Sequence, residues 1–234
     1  MACAITPDDE APVGLAVLAP DGGIGVLAPH PDDESLGCGG LIATALDQGR
    51  AVCVVALTDG SGSHPGSKAI SPPQLAAMRG RELRCALAAL GLPPWGLLAT
   101  GLPDGALSSA DLGLVCNRII ERFAPLGVRH VFAPVGDDPH PDHRAAYAIA
   151  GRVAAGLGAA LWVYPVRAQV VDAAEASGGF RRLDIARALQ RKRAAIACHR
   201  SQLGQAITDD PDGFHLMTED LERHGRPYEL FRQV

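Results

Sequence analysis

Aromatic residues make up only 4% of this 234-residue chain, so packing falls mainly to the Ala, Leu and Val within its apolar 47%. No long block of Lys or Arg occurs and the net charge is a modest −5, which sets nucleic acid and anionic membrane surfaces aside as main partners. No apolar run reaches the ~20 residues of a membrane-spanning helix. The opening stretch "MACAITPDDEAPVGLAVLAP" lacks a basic region, and prolines and acids break its apolar run. It reads as an irregular lead-in (residues 1–22) rather than an export signal. The six cysteines, Cys3, Cys38, Cys53, Cys85, Cys116 and Cys198, are scattered without a C-x-x-C pair. They read as small buried hydrophobes of a reducing compartment, and a cytoplasmic location is expected. A G-x-x-x-x-G-K-[ST] loop, a G-x-G-x-x-G directly after the first strand and a G-x-S-x-G elbow are also missing, which argues against a phosphate cradle and a serine nucleophile.

What is present is an alternation of short apolar runs with helix-like segments. "GIGVLAP" (23–29) and "AVCVVALT" (51–58) predict buried strands, and "WGLLAT" (95–100), "VRHVFAPV" (128–135) and "AALWVYPV" (159–166) predict further strands. Helices are predicted over roughly 35–48, 74–90, 111–123, 143–157 and 187–199, the second of them ended by Gly91 and Pro93. Such alternation implies an α/β fold: a Rossmann-like three-layer α/β/α sandwich around a mostly parallel sheet with right-handed crossovers. With no linker or repeat in view, residues 23–234 read as a single catalytic domain. The last thirty-odd residues give no clear pattern.

The chemistry is concentrated in two stretches that each follow a predicted strand, "LAPHPDDESLGCGG" (27–40) and "GDDPHPDHRAAY" (136–147). Ligands of open α/β sheets bind beyond the carboxyl ends of strands, so these remote stretches can meet at one edge. The crowded Asp32, Asp33 and Glu34 could merely start a helix, capping its free N–H groups and complementing its dipole. That reading leaves His30, His140 and His143 unexplained; a metal ion explains them and offsets the repulsion among the carboxylates. Zinc takes imidazole nitrogens and carboxylate oxygens, with three protein ligands and one open position in catalytic sites. His30 and Asp33, three apart around a turn, can face one ion, and His143 can supply the third ligand. Asp32 then faces the open position as a base, and His140 is left free beside it with Asp142 near enough to orient it. Gly37, Gly39 and Gly40 are expected to permit close helix packing. His64 reads as a loop histidine near the mouth. The arginine run in "RRLDIARALQRKR" reads as a solvated helix face that could also attract an anionic headgroup.

Those stretches, together with "RGRELRCALAALG" (79–91), "LPDGAL" (102–107) and "KRAAIACHRSQ" (192–202), resemble the PIG-L/LmbE-like zinc-dependent de-N-acetylase family from about Gly23 to Gln202. The resemblance implies His30, Asp33 and His143 as zinc ligands, with Fe²⁺ as another metal of this class. It implies Asp32 as general base and His140, paired with Asp142, as acid or electrostatic stabiliser. It implies Arg79 in substrate or oxyanion binding and Asp104 near the sugar. Arg79 and Glu82 could equally form a helix-surface pair, and His199 could be a cation at a helix C-terminus or a residue near the site.

The function implied is hydrolysis of the N-acetyl group of an N-acetylglucosaminyl-type amino sugar or glycoconjugate. The proton for the leaving amine would come from Asp32 or His140. The alternatives are a zinc amidase acting on a thiol conjugate and a non-catalytic sugar- or metal-binding relative. A metal-free nucleotide-binding protein is a further possibility from another class. The resemblance also implies a homo-oligomer, a trimer or hexamer.

Overall fold

A computed structural model of the protein describes residues 11–177 and 179–234. Its centre is a seven-stranded sheet made of β1 (Gly23–Ala28), β2 (Val52–Thr58), β3 (Leu97–Leu102), β4 (Val128–Pro134), β5 (Ala160–Tyr164), β6 (Arg181–Asp184) and β7 (Tyr228–Gln233), in the spatial order β3-β2-β1-β4-β5-β7-β6. The first five run parallel. The other two extend the sheet with antiparallel pairings. β1 and β2 are buried at every position, as their continuous apolar sequences require when helices cover both faces.

One face carries α2 (Asp33–Asp47), α3 (Pro72–Leu90) and α7 (Leu189–Cys198), and the other carries α4 (Leu112–Phe123) and α5 (Pro141–Leu157). Local chemistry sets their ends. Ser71 and Gln74 form a capping box ahead of α3, with Pro72 in its first turn, and Gly91 terminates it at a left-handed φ of 89°. Asp111 accepts hydrogen bonds from the backbone of Gly113 and Leu114 to start α4.

The glycines after the first motif do let elements approach closely. A Cβ on Gly37 would lie 2.2 Å from the Tyr164 ring, and one on Gly40 would lie 2.5 Å from Ile185. The order of strands then places the site. After β1 the chain moves outward through β2 and β3, then returns to lay β4 on the opposite side of β1. The carboxyl ends of β1 and β4 are thus neighbours at a reversal of strand order, where a crevice opens.

Several expectations are corrected. The lead-in is not wholly irregular. α1 (Leu15–Leu18) buries Leu15 and Leu18 against the core, and Val13 bridges to Leu183; residues 1–10 lie outside the described residues. The arginine-rich stretch is not one solvated helix face. "RRLD" is the edge strand β6, and Lys192 is buried with its Nζ 2.7 Å from Glu229. Of the cysteines, Cys38, Cys53 and Cys116 are buried, but Cys85 is exposed and Cys198 half-buried; Cys3 falls outside the described residues. The C-terminal segment contains α8 (Thr218–His224) before β7. Another helix missed by the sequence, α6 (Ala168–Ser177), follows β5. Among the described residues no helix is long and apolar enough to cross a membrane.

Candidate active site

The two motifs converge as their positions after β1 and β4 predict. Asp33 opens α2, and a tight turn before it lets the backbone N–H of His30 donate to Asp33 Oδ2 at 2.9 Å. The same oxygen lies 3.2 Å from His30 Nδ1 and 3.4 Å from His143 Nε2. Two imidazole nitrogens, carried by elements more than a hundred residues apart, therefore point at one carboxylate oxygen. Each ring turns its other nitrogen toward a further carboxylate. His30 Nε2 is 3.1 Å from Asp104 Oδ1 and 3.5 Å from Asp142 Oδ2, while His143 Nδ1 is 3.1 Å from Asp138 Oδ2. This is the outer arrangement that metal-ligating histidines adopt, in which the distal N–H fixes tautomer and orientation.

The helix-start explanation of the acidic cluster holds only in part: the Asp32 side chain accepts no capping hydrogen bond, while Asp33 and Glu34 lie in the first turn of α2, where they complement its dipole. The donor set instead fits a divalent ion. Two imidazoles and a carboxylate match zinc or iron(II) chemistry. The ligand atoms of His30, His140 and His143 lie within 4.8 Å of one another, as do those of His30, Asp104 and Asp142; Asp33 belongs to neither group and meets the two imidazoles through its Oδ2 alone.

Without an ion, the electrostatics show how strongly these groups depend on one another. Burial alone would depress the His143 pKa, but the Asp33 charge beside it and Asp138 outweigh this and lift it to about 9. Burial likewise opposes a charged Asp33, yet His143 and His30 hold its carboxyl well below the usual range. For Asp32, burial is the leading effect; Arg79 opposes it, Asp33 reinforces it, and the carboxyl rises to about 6.

His140 is the N-cap residue of α5, and its Nδ1 accepts a hydrogen bond from the backbone N–H of Asp142 at 3.2 Å. With Nδ1 acting as acceptor, the neutral ring carries its proton on Nε2. Burial, followed by the charges of His30 and His143, lowers its pKa, which favours that neutral form.

The Asp142 carboxylate makes no hydrogen bond to His140, although, against the lowering by burial and by His30 and His143, its charge raises the His140 pKa. Its oxygens accept from the backbone N–H groups of Gly105 and Leu107 at 2.8 and 3.2 Å, and one of them faces His30. The physical reason is the helix start. At the second position of α5 the backbone N–H points back to the cap residue while the side chain turns toward the 105–107 turn.

Arg79 does not pair with Glu82 on a helix surface. It is buried, with Nη2 2.7 Å from the Pro31 carbonyl and 3.2 Å from Asp32 Oδ2, and its Nη1 donates to Gly60 O at 3.0 Å. Glu82 instead accepts from the N–H and Oγ of Ser201 at 2.9 and 2.6 Å. Asp104 lines the cavity but commits both oxygens to the protein, one facing His30 and the other accepting from the Gly62 N–H at 3.0 Å. His199 is buried with Nε2 3.3 Å from Glu34, so it adjoins the site. His64 is buried against His215, with ring centroids 5.0 Å apart.

Asp138 is the functional candidate that sequence reasoning missed. Its other oxygen accepts from the His140 backbone N–H at 2.8 Å, a local turn that the pair of aspartates in "GDDPH" could have suggested. Of these groups, His30, Asp32, Asp33, Arg79, Asp104, His140 and His143 line a cavity of about 670 Å³, which continues to Arg167, Phe214 and His215. That is ample for a small-molecule ligand.

Comparison with known proteins places the chain in a family. The family profile described as PIG-L: GlcNAc-PI de-N-acetylase matches residues 26–154, from β1 into α5. A probable N-acetyl-alpha-D-glucosaminyl L-malate deacetylase 2 of Bacillus cereus is 31% identical over 125 residues, covering 51% of this chain and 55% of that protein. A 1D-myo-inositol 2-acetamido-2-deoxy-alpha-D-glucopyranoside deacetylase of Tsukamurella paurometabola is 31% identical over 164 residues, covering 64% of this chain and 47% of that one. The chain thus matches about half the length of these curated relatives. The structure of N,N'-diacetylchitobiose deacetylase from Pyrococcus horikoshii superposes with a TM-score of 0.59 at 21% identity, covering 91% of this chain and 83% of the other; that likeness speaks for the fold. Since the profile takes in more than half of its residues and both His–Asp motifs, the chain belongs to the PIG-L family.

Proposed function

We propose that the protein is a metal-dependent hydrolase that removes the acetyl group from a 2-acetamido-2-deoxyglucosyl compound, with zinc as the metal and His30, Asp33 and His143 as its ligands. The observation that carries this reading is the convergence of His30 Nδ1 and His143 Nε2 on Asp33 Oδ2, beside an open cavity. Both curated relatives are named for substrates that contain such a sugar. When bound, the ion would polarise the amide carbonyl and acidify a water molecule.

The side chains divide the remaining work. Asp32, adjacent to a ligand yet aimed elsewhere, takes a proton from water as its oxygen attacks the carbonyl carbon. A carboxyl raised to about 6 is mainly ionised at neutral pH, yet holds a proton more readily than an exposed aspartate. Negative charge then grows on the former carbonyl oxygen. His140, with its proton on Nε2, donates a hydrogen bond to that oxygen. In this reading His140 is the stabiliser. Asp32 passes its proton to the sugar nitrogen, the C–N bond breaks, and acetate and the free amine leave. Arg79 holds the Asp32 carboxylate from behind and is a positioning group in this reading.

The test is acetate release by the zinc-loaded protein from a panel of N-acetylglucosaminyl conjugates, with acylated thiol conjugates alongside. Release from the sugar amides supports the reading. Cleavage of the thiol conjugates alone would reassign the enzyme as an amidase of another class, and no release from either would overturn the hydrolase.

A further inference from the structure

Asp32 is the sole non-glycine residue with positive φ among the described residues, at φ 148° and ψ −28°. An L-residue keeps such a backbone only where its surroundings over-determine it. Here the peptide unit joining Pro31 to Asp32 is gripped at both polar ends. Its carbonyl oxygen accepts from Arg79 Nη2 at 2.7 Å, and its N–H donates to Glu34 Oε2 at 3.0 Å. The other oxygen of Glu34 is committed as well. Ser35 Oγ donates to Oε1 at 2.7 Å, and His199 Nε2 lies 3.3 Å from it. Ser35 Oγ and His199 Nε2 are themselves 3.2 Å apart. Glu34, Ser35 and His199 are all fully buried. Both oxygens of Glu34 are thus engaged within the protein, out of reach of solvent.

Resting on the hydrolase reading above, we propose that Glu34, anchored by His199 and Ser35, is a positioning residue that locks the Pro31–Asp32 peptide and so aims the Asp32 carboxylate at the attacking water. His199 arrives from the end of α7, on the far side of the chain from the first motif, and couples that helix to the geometry of the base. Arg79 completes the clamp from α3. Asp33, the next residue, begins a regular helix, so releasing the clamp turns Asp32 while leaving the metal ligands in place.

The test compares His199→Leu, which removes the nitrogen facing Glu34, with His199→Gln, which keeps a side-chain N–H donor. We expect His199→Leu to retain stoichiometric zinc and an unchanged KM while kcat falls about 10–100-fold, the usual range for an outer-shell partner. His199→Gln is expected to recover most of that loss. Should His199→Leu fail to fold, Ser35→Ala, which removes one of the two partners of Oε1, is expected to lower kcat several-fold with KM and zinc intact. A crystal structure of the first folded variant gives a readout independent of turnover, with Asp32 leaving the positive-φ region while His30, Asp33 and His143 stay in place. Full kcat in folded, zinc-loaded variants, equal losses in the Leu and Gln variants, or an Asp32 backbone unmoved in that structure would overturn the clamp. A wild-type protein that releases no acetate would overturn the hydrolase reading instead, and the crystallographic comparison would still decide the clamp.

Discussion

Asp138 Oδ2 stands 3.1 Å from Nδ1 of His143, with both side chains buried. A carboxylate behind a ligating imidazole fixes the ring and makes its inner nitrogen a better donor. Asp138→Asn should accordingly weaken zinc binding by about 10–100-fold while the fold persists. Competition against a chelator of known affinity measures this; an unchanged dissociation constant would show that His143 does not depend on Asp138.

Asp32→Asn should separate metal binding from chemistry. The amide keeps the shape of the side chain but cannot take a proton, so turnover should drop by about 10²–10⁴-fold with zinc stoichiometry unchanged. Initial rates and metal content on the same preparation provide the check. Wild-type turnover in that variant would remove Asp32 as the base.

Metal affinity should depend on pH in a predictable direction. Burial opposes a charged imidazole, but neighbouring carboxylates raise His143 to about 9 and hold His30 well above its ordinary range, so an incoming ion must displace a proton from each ring. Zinc affinity should rise by about tenfold or more per pH unit between pH 7 and 9, as proton competition dictates. Calorimetry in buffers of different ionisation enthalpy would count the protons released. A flat profile across that window would mean that His143 is neutral before the metal arrives.

The cluster of glycines in α2 has a separate, structural consequence. Gly37→Ala would set a methyl group 2.2 Å from the Tyr164 ring, whose hydroxyl donates to the Leu27 carbonyl at 2.7 Å. Overpacking of this kind destabilises by about 1–3 kcal/mol. Denaturant unfolding should register that loss, and wild-type stability would mean that the ring moves aside freely.

The parallel half of the fold was legible because its signals are local. Buried strands read as continuous apolar runs, and their helices carry Ser71, Asp111 and Gly91 at their ends. β6 and β7 were not legible, since "RRLD" is polar and becomes a strand only by pairing with residues more than forty positions later. Lys192 shows the same limit: its arginine-rich neighbours suggest solvent, yet Glu229 on a distant strand draws it inside. At the site, the motifs bring His30, Asp32, Asp33, His140 and His143 to one place because β1 and β4 are adjacent. Which carboxylate meets which imidazole was beyond reach. Asp142 serves His30 through space and contacts neighbouring His140 only by its backbone N–H, a distinction set by side-chain direction and not by spacing.

The account stands or falls on a divalent ion shared by the two motifs. The most direct measurement loads wild-type protein and His143→Ala with zinc, removes excess metal by dialysis, and determines bound zinc and acetate release together. The account predicts one tightly held equivalent and turnover for the wild type, with both lost in His143→Ala. A His143→Ala protein that keeps stoichiometric zinc and full activity would contradict it.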